Sequence, residues 1–423
     1  MKANEMGKFV FNTPAGIRFG VDVLIDSVEE IIRVLGPRIL VVSDPELSRI
    51  SLYQPLVENL IKRGIEVKIF DQVEQDPTLR NLEKAIETGV GFLATGVLGF
   101  GGGSPMDVAK LTALFLSSGE NIESIWGVNK IKGPRLPLIL VPTTAGTGSE
   151  VTPVSIITVE NREKRGASSQ VLIPDLAVLD PSLTMKLPPG ITASTGIDAM
   201  VHAIEAYTSN NNNNNVISSN LAIMALDLLG SSIISVVKEG NSDQSARYNM
   251  LLGSMLAGQS FANSPVAAVH ALAYPLGGKY KVSHGLSNAL LLPHVMRFNM
   301  QELETKQAYA KLAGITFPAL NEIKNTNERA ELFATEFIVL SKKLGLPTRM
   351  RDINIPKEAC REMSVEAMKQ QRLLVNNPKT VTQKDAEKIY EEAKETGKKT
   401  SLVSSSRSNI FKTKIANIEP GEM

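Results

Sequence analysis

Short apolar runs alternate with amphipathic stretches through the first 180 residues of the chain. The apolar runs predict strands over residues 39–43, 67–70, 97–100, 138–141, 155–159 and 177–179. The stretches between them predict helices over 23–35, 48–63, 79–88 and 105–116, the last with Pro105 at its first position. Strands separated by helices of this length indicate βαβ units and a mostly parallel sheet.

The pattern changes after Asp180. The segment LDPSLTMKLPPGITAS is rich in proline and glycine and predicts a linker. Beyond it, apolar positions recur with helical spacing over 196–207, 221–237, 246–262 and 384–393. We therefore expect an α/β domain over residues 1–187 and an all-helical domain over 188–395. The asparagine run at 210–215 predicts an exposed loop, and the Ser- and Lys-rich residues 396–423 predict a mobile tail.

The composition argues against several classes of protein. The 45 Lys and Arg residues nearly balance 44 Asp and Glu residues, which is not typical of a protein that binds nucleic acid or a membrane surface. The N-terminus lacks the apolar stretch of a signal peptide, and no run of 18 uncharged apolar residues predicts a membrane span. Cys360 is the single cysteine, so a reducing compartment is expected. These features favour a cytoplasmic enzyme or binding protein.

Three loops at predicted strand ends suggest a dinucleotide site. Glycines between a strand and a helix let the backbone approach a pyrophosphate, although a tight turn is the alternative and the G-x-G-x-x-G fingerprint is absent. An acid at the end of strand 39–43 is placed to bind ribose hydroxyls or to cap the next helix. Hydroxyls after strand 138–141 can line a ligand crevice. The predicted cofactor-binding residues are Asp44, Gly101, Gly102, Gly103, Ser104, Asp107, Thr143, Thr144, Thr147 and Ser149.

A metal site is predicted in the helical half. Asp198 and His202 are four residues apart, so a helix presents both on one face. His270 lies in an apolar stretch, and His284 follows a glycine-rich break and can approach from another element. One carboxylate and three imidazoles suit a divalent transition metal with a position left for substrate. The remaining histidine, His294, is interpreted as structural.

At this point the chain resembles the iron-containing, or group III, alcohol dehydrogenases. The resemblance rests on VVSDPEL, GGGSPMDVAK, PTTAGTGSEVT, GIDAMVHAIEAYTS, HALAYPLGG, VSHGLSNALLLPHVMRFN and VNNPKTVTQKDAEKIYEEA. It implies an active site in the cleft between the two domains, with the metal on the four residues named above. It further implies that Asp44 binds ribose, that Gly102-Gly103-Ser104 binds pyrophosphate, and that Lys164 is the basic residue before the domain boundary.

The resemblance implies an NAD-dependent dehydrogenase for a small alcohol or aldehyde, with Fe²⁺, or alternatively Zn²⁺, as Lewis acid on the substrate oxygen. We also expect a homodimer or larger homo-oligomer. Phe261, Pro265 and Val266 are predicted to form an apolar substrate wall, with plain helix packing as the alternative. Many family members have histidine four residues after the third ligand, where this chain has Tyr274. Its ring either walls the pocket, which we favour, or relays a proton.

Three other functions stay open. A zinc-dependent polyol dehydrogenase would share the fold with one ligand fewer. A cyclising synthase of the same fold handles a polyanionic sugar acid and needs a basic cluster around its metal, and none adjoins His270 or His284 in the sequence. A non-catalytic nucleotide- or metal-binding protein would not need an intact ligand set beside an intact cofactor loop.

Overall fold

The computed structural model describes residues 8–160 and 163–395, so the tail predicted to be mobile lies outside the described residues. The described residues form nine strands, all before residue 180: β1 (Gly16–Phe19), β2 (Arg38–Val42), β3 (Glu66–Phe70), β4 (Gly96–Gly101), β5 (Gly127–Val128), β6 (Leu138–Pro142), β7 (Val154–Thr158), β8 (Lys164–Ser168) and β9 (Leu176–Leu179). The prediction missed β1, β5 and β8, which are short or polar.

Six strands form one parallel sheet in the order β1-β9-β6-β4-β2-β3, which confirms the predicted parallel architecture. Strands β4, β6 and β9 are buried along their whole length, as expected when helices cover both faces of a sheet. Strand β7 lies outside this sheet. It pairs antiparallel with β8, which pairs with β5, in a three-stranded sheet of its own.

The helices of the first half are α1 (Val23–Asp26), α2 (Val28–Leu35), α3 (Pro45–Arg49), α4 (Gln54–Lys62), α5 (Leu79–Phe92) and α6 (Gly103–Phe115). The predictions of single helices over 23–35 and 48–63 were wrong. Ser27 separates α1 from α2, and Ser51, with a positive φ of 54°, lies between α3 and α4. Pro105 is the third helical residue rather than the first, still within the turn where backbone N–H groups have no intrahelical acceptor.

From residue 189 onward the described residues form helices and no strand: α7 (Pro189–Thr208), α8 (Val216–Glu239), α9 (Gln244–Asn263), α10 (Ala268–Tyr280), α11 (His284–Asn299), α12 (Leu303–Thr316), α13 (Thr326–Lys343), α14 (Ala359–Ala367), α15 (Gln371–Leu374) and α16 (Gln383–Glu395). The all-helical prediction for this half is therefore confirmed. The predicted linker is shorter than expected, because α7 begins at Pro189 inside it.

Helix α8 is long and apolar enough to cross a membrane, judged by length and composition only. It packs against α7, α9 and α12 within the helical half. Core helices of soluble proteins have the same composition, so this single helix is weak evidence for a membrane span.

The asparagine run is a loop, as predicted, but it is not simply exposed. Asn213 exchanges two hydrogen bonds of 2.8 Å with the backbone of Val10, and its amide also donates to the Asn263 carbonyl. Asn215 is buried and caps α8 in a capping box with Ser218. Asparagine suits these places because its short side chain both donates to and accepts from nearby backbone.

Candidate metal and dinucleotide site

Four predicted ligands meet at one point in the helical half. Asp198 and His202 come from α7, His270 from α10, and His284 is the first residue of α11. One potential ligand atom from each lies within 4.8 Å of all the others. Three of the side chains are buried, whereas the His284 side chain is 34% exposed and so marks the open side of the cluster.

Hydrogen bonds orient two of the imidazoles. The His270 Nδ1 lies 2.6 Å from the Glu205 carboxylate, and the His202 Nδ1 lies 3.2 Å from the Gly146 carbonyl oxygen. Both partners are acceptors, so each Nδ1 carries the proton and each Nε2 presents a lone pair to the cluster. Glu205, to which the sequence analysis gave no role, also accepts from the backbone N–H groups of Ala267 and Val269.

Burial sets the charges of these groups. It lowers the pKa values of His270 and His284, which keeps their nitrogen lone pairs available. It raises the pKa of Glu205 to about 7. Burial alone would also raise the pKa of Asp198, but the three histidines and an amide hydrogen bond hold it below its usual value. The cluster thus combines the Asp198 carboxylate with imidazoles of which His270 and His284 are kept neutral by burial.

Asn288, one helical turn after His284, shows that the cluster fits a cation. Its Nδ2 lies 2.5 Å from Asp198 Oδ1, 3.2 Å from His270 Nε2 and 3.3 Å from His284 Nε2. One amide group has two hydrogens and cannot satisfy three converging acceptors. Its own buried Oδ1 has no hydrogen-bond partner. Nitrogen and carboxylate donors converging in this way suit a divalent transition metal. The sequence analysis missed Asn288, whose only signal is its i,i+4 spacing from a ligand.

The glycine loop joins β4 to the N-terminus of α6, where it packs against the loop that follows β6. A Cβ on Gly103 would lie 2.8 Å from the Thr147 methyl group, and one on Gly101 would lie 2.7 Å from Pro105. Gly101 also has a φ of +152°, which side chains rarely allow, and its carbonyl accepts from the Thr143 N–H at 2.9 Å. A Cβ on Gly102 would lie 3.4 Å from the Thr144 methyl group. The two loops form one continuous backbone surface.

Asp44 follows β2 and caps α3. Its Oδ1 accepts from the N–H groups of Glu46 and Leu47, each at 3.0 Å. Partial burial is the main reason that its pKa is raised. These cap bonds use one carboxylate oxygen, so the helix-capping alternative and the ribose-binding role are compatible.

Three other predicted cofactor residues are bonded to the protein itself. The Ser104 hydroxyl donates to the Gln75 carbonyl. The Ser149 hydroxyl donates to Asp107 Oδ1 at 2.8 Å and accepts from the Lys110 ammonium at the same distance. Burial raises the pKa of Asp107 and lowers that of Lys110 to about 8. Hydrogen bonds among Asp107, Ser149 and Lys110 thus support the glycine and threonine loops. Lys110 was not predicted.

Two cations lie close enough to the metal cluster to lower the pKa values of its histidines. Lys164, on β8, pairs with Asp76 at 2.7 Å, and its charge contributes to the lowered pKa of His284. The Tyr274 ring centroid lies 6.3 Å from that of His284, and its hydroxyl accepts from the Arg372 guanidinium at 2.9 Å. No basic cluster adjoins the histidines in the sequence, but the fold brings Lys164, which the resemblance implied, and Arg372 towards them from distant parts of the chain.

The three residues predicted to form the apolar substrate wall have different surroundings. Phe261 stacks on His202 with ring centroids 4.5 Å apart, so it borders the cluster. Val266 is buried in the core of the helical half, and the Pro265 carbonyl accepts from Ser209. His294 lies outside the cluster, and burial lowers its pKa to about 3.

A parallel sheet with a backbone-lined loop, joined to a helical half with an Asp-His₃ cluster, is the arrangement expected of an enzyme that binds a dinucleotide and a metal. The profile "Iron-containing alcohol dehydrogenase" matches residues 14–181, and "Fe-containing alcohol dehydrogenase family, C-terminal" matches residues 192–394. The chain belongs to the iron-containing alcohol dehydrogenase family and is an NAD-linked alcohol dehydrogenase. A third profile, "Vault protein inter-alpha-trypsin domain", matches residues 366–423. Its described part, up to residue 395, is largely helical and belongs to the helical half.

Curated relatives match most of the chain. Long-chain-alcohol dehydrogenase 1 of Geobacillus thermodenitrificans is 37% identical over 86% of this chain and 92% of its own length. Sulfoacetaldehyde reductase of Bilophila wadsworthia is 31% identical over 88% of this chain and 96% of its own length. Among solved structures, a 1,3-propanediol oxidoreductase superposes with a TM-score of 0.86 at 30% identity, covering 91% of this chain and all of that one.

Proposed function

We propose that this protein interconverts a small alcohol and its aldehyde with NAD, in the cleft between its two halves, using a metal bound by Asp198, His202, His270 and His284. The observation that carries the proposal is the position of the acceptor cluster next to the cofactor loops. The bond between His202 Nδ1 and the Gly146 carbonyl ties a predicted metal ligand directly to the loop after β6. A metal and a nicotinamide bound at these two places would meet at one substrate.

Each part of the site has a role in this proposal. The bound metal supplies a Lewis acid for the substrate oxygen, and NAD supplies the hydride acceptor. Glu205 and the Gly146 carbonyl orient the imidazoles, and Phe261 excludes water on one side. The glycine and threonine loops hold the pyrophosphate and nicotinamide. Asp44 accepts hydrogen bonds from ribose hydroxyls and repels a 2′-phosphate, which favours NAD over NADP.

For the substrate, the metal and the assembly we propose a class rather than one compound, one ion or one number of subunits. The relatives named above are a long-chain-alcohol dehydrogenase, a sulfoacetaldehyde reductase and a 1,3-propanediol oxidoreductase, so membership in the family leaves a wide range of alcohols. Ferrous iron and zinc both suit the donors, and zinc binds such sites more tightly. The balanced charge and the single buried cysteine are consistent with a cytoplasmic homodimer or larger homo-oligomer.

A screen of reconstituted protein tests the proposal. Metal-free protein is loaded anaerobically with Fe²⁺ or with Zn²⁺, and NADH consumption is followed by absorbance with a series of aldehydes of increasing chain length. We expect turnover that requires metal and is faster with NADH than with NADPH. Absence of turnover with every aldehyde and both metals would contradict the proposed function. In a parallel assay of polyol oxidation with NAD, turnover by the zinc-loaded protein that is restricted to polyols would favour the polyol dehydrogenase instead.

A further inference from the structure

Arg372 is a half-buried cation without an anionic partner among the described residues. It lies in α15, and its guanidinium donates to the Tyr274 hydroxyl at 2.9 Å and lies 5.9 Å from the Tyr274 ring centroid. No carboxylate of residues 8–160 or 163–395 forms an ion pair with it. A partly desolvated guanidinium usually has an acidic partner, because removing its charge from water is costly.

The guanidinium is connected to the metal cluster through Tyr274, the residue that it contacts by a hydrogen bond. Tyr274, to which it is bonded, comes one helical turn after His270, and its ring lies 6.3 Å from the ring of His284. The charge of Arg372 contributes to the lowered pKa of His270. On its other side Arg372 packs on β8, where a Cβ on Gly166 would lie 2.7 Å from its Nη2. A cation is thus held firmly beside the predicted substrate position.

The second cation near the cluster, Lys164, differs from Arg372 because it has an acidic partner. Lys164 lies two residues before Gly166 and has Asp76 as its ion-pair partner. Among the described residues, the one hydrogen-bond acceptor of the Arg372 guanidinium is the Tyr274 hydroxyl. Arginine has five N–H donors, and the single bond to Tyr274 leaves others free for a planar or tetrahedral anion. The Tyr274 hydroxyl accepts from Arg372, so its own proton is free to donate to the same anion.

We propose that Arg372, supported by Tyr274, binds an anionic group of the substrate, so that the preferred alcohols and aldehydes carry a carboxylate, sulfonate or phosphate. This inference rests on the proposed function, because it places the substrate oxygen at the metal cluster. Charge-assisted, bidentate hydrogen bonds to a guanidinium fix both the affinity and the orientation of such a group.

Matched aldehydes test the inference by activity. Succinic semialdehyde and butanal have the same chain length and differ in the terminal carboxylate, while sulfoacetaldehyde and glycolaldehyde phosphate distinguish the head groups. We expect at least one anionic aldehyde to have a kcat/KM that is ~10-fold or more above that of butanal. Arg372→Gln should lower kcat/KM for that anion by ~10–100-fold, the effect of losing charged hydrogen bonds, and leave butanal within ~3-fold.

Two further variants sharpen the result. Arg372→Lys keeps the charge but loses the planar fork, so it should fall between wild type and Arg372→Gln. Arg361→Gln removes an exposed arginine of α14 and should change neither substrate. Circular dichroism and metal content verify the fold of each variant. If Arg372→Gln does not yield folded protein, Arg372→Lys carries the same comparison between anionic and neutral aldehydes.

Calorimetry separates this inference from the proposed function. Titration of the metal- and NADH-loaded protein with propanoate, ethanesulfonate or 1-propanol measures anion binding without turnover, because an alcohol has no hydride acceptor in the NADH complex. We expect binding of an anion that Arg372→Gln weakens by ~10-fold or more. Turnover of butanal together with equal anion binding by wild type and Arg372→Gln would overturn the inference and leave the dehydrogenase intact. Arg372-dependent anion binding without turnover of any aldehyde would overturn the dehydrogenase proposal alone.

Discussion

The metal cluster of the helical half and the cofactor surface of the α/β half are built in opposite ways. The cluster consists of long polar side chains on three helices, oriented by further side chains such as Glu205 and Asn288. The cofactor surface consists of backbone and small residues. Its close packing depends on the absence of side chains at positions such as Gly103, where a Cβ would collide with the opposite loop. Loss of a functional group should therefore damage the first region, whereas addition of a methyl group should damage the second.

The largest effect is expected at the cluster itself. His284→Ala removes one of four ligands at the open side of the site, where no other described side chain offers a replacement imidazole. We expect loss of stoichiometric metal binding and of detectable turnover, with an unchanged far-ultraviolet circular dichroism spectrum. Elemental analysis of the purified variant checks this. A full metal complement in His284→Ala would show that the four-ligand assignment is wrong.

A smaller effect is expected at Glu205, which contacts the metal cluster through His270. Glu205 accepts from His270 and from two backbone N–H groups, and a glutamine amide would have to direct its NH₂ at one of these donors. We expect Glu205→Gln to weaken metal binding by ~10–100-fold, the usual effect of losing a partner of a metal-binding histidine. Glu150→Gln is a matched control, since Glu150 is also a buried carboxyl but forms no hydrogen bond or ion pair with the four cluster residues. Equal metal affinities in a chelator competition assay would contradict this role for Glu205.

The cofactor surface should respond to an added methyl group. In Gly103→Ala the new Cβ would lie 2.8 Å from the Thr147 methyl group, so the two loops must separate. We expect the Kd for NADH, measured by fluorescence, to rise ~10-fold, about the cost of a small overpacking, with no loss of metal. Thr147→Ser removes the opposing methyl group and should restore much of the affinity in the double variant. A loss of metal in Gly103→Ala would show that the two regions are not independent.

The same contrast explains what the sequence could predict. Asp198 and His202 were predictable because helix periodicity alone places side chains four residues apart on one face. Arg372 contributes to the same cleft but was not predicted, since α15 has only four residues. Lys164 was expected only from the family resemblance, because β8 is too polar to be predicted as a strand. The approach of both cations to the histidines depends on long-range packing, which periodicity does not encode.

Backbone features were predictable only in part. The loop around Gly102 was expected from consecutive glycines, but the network of Asp107, Lys110 and Ser149 beneath it was not. A lysine in an apolar helix was the one available signal. The break at Ser27 interrupts a regular apolar pattern without glycine or proline to mark it. At Ser51 a signal was present, because Pro55 lies in the first turn of α4, where proline is common.

Cofactor choice should depend on one charge at the edge of the cofactor surface. Asp44→Gly should narrow or reverse the preference for NAD over NADP, but it also removes the cap of α3. Asp44→Asn separates the two roles, because asparagine caps helices as well as aspartate does and carries no charge. We expect the ratio of kcat/KM values for NAD and NADP to fall in both variants and thermal stability to fall only with glycine. Wild-type protein that uses NADP at least as well as NAD would show that Asp44 is misassigned.

The smallest effect is expected at Tyr274, which lies between the two regions. An imidazole in this place could accept and release a proton near neutral pH, whereas a phenol hydroxyl relays one by accepting and donating hydrogen bonds in turn. The Tyr274 hydroxyl already accepts a hydrogen bond from the Arg372 guanidinium, so a relay would have to use the remaining lone pair of this oxygen. We therefore favour a role in shaping the pocket and holding Arg372 over a role in proton relay.

Tyr274→Phe keeps the ring and removes only the hydroxyl, so it tests these two roles directly. With an uncharged alcohol as substrate, we expect kcat within a few-fold of wild type and an alkaline limb of the pH–rate profile that does not move, because metal activation supplies most of the acidity needed. With an anionic substrate, KM should rise while kcat changes little, since Arg372 loses its hydrogen-bond partner. A relay predicts a different pattern: kcat would fall by ~10²-fold or more for both substrates, as when a general acid–base group is removed. The split between KM and kcat, measured with the matched pair of substrates, therefore decides whether Tyr274 belongs to the chemistry of the metal cluster or to the wall that selects the substrate.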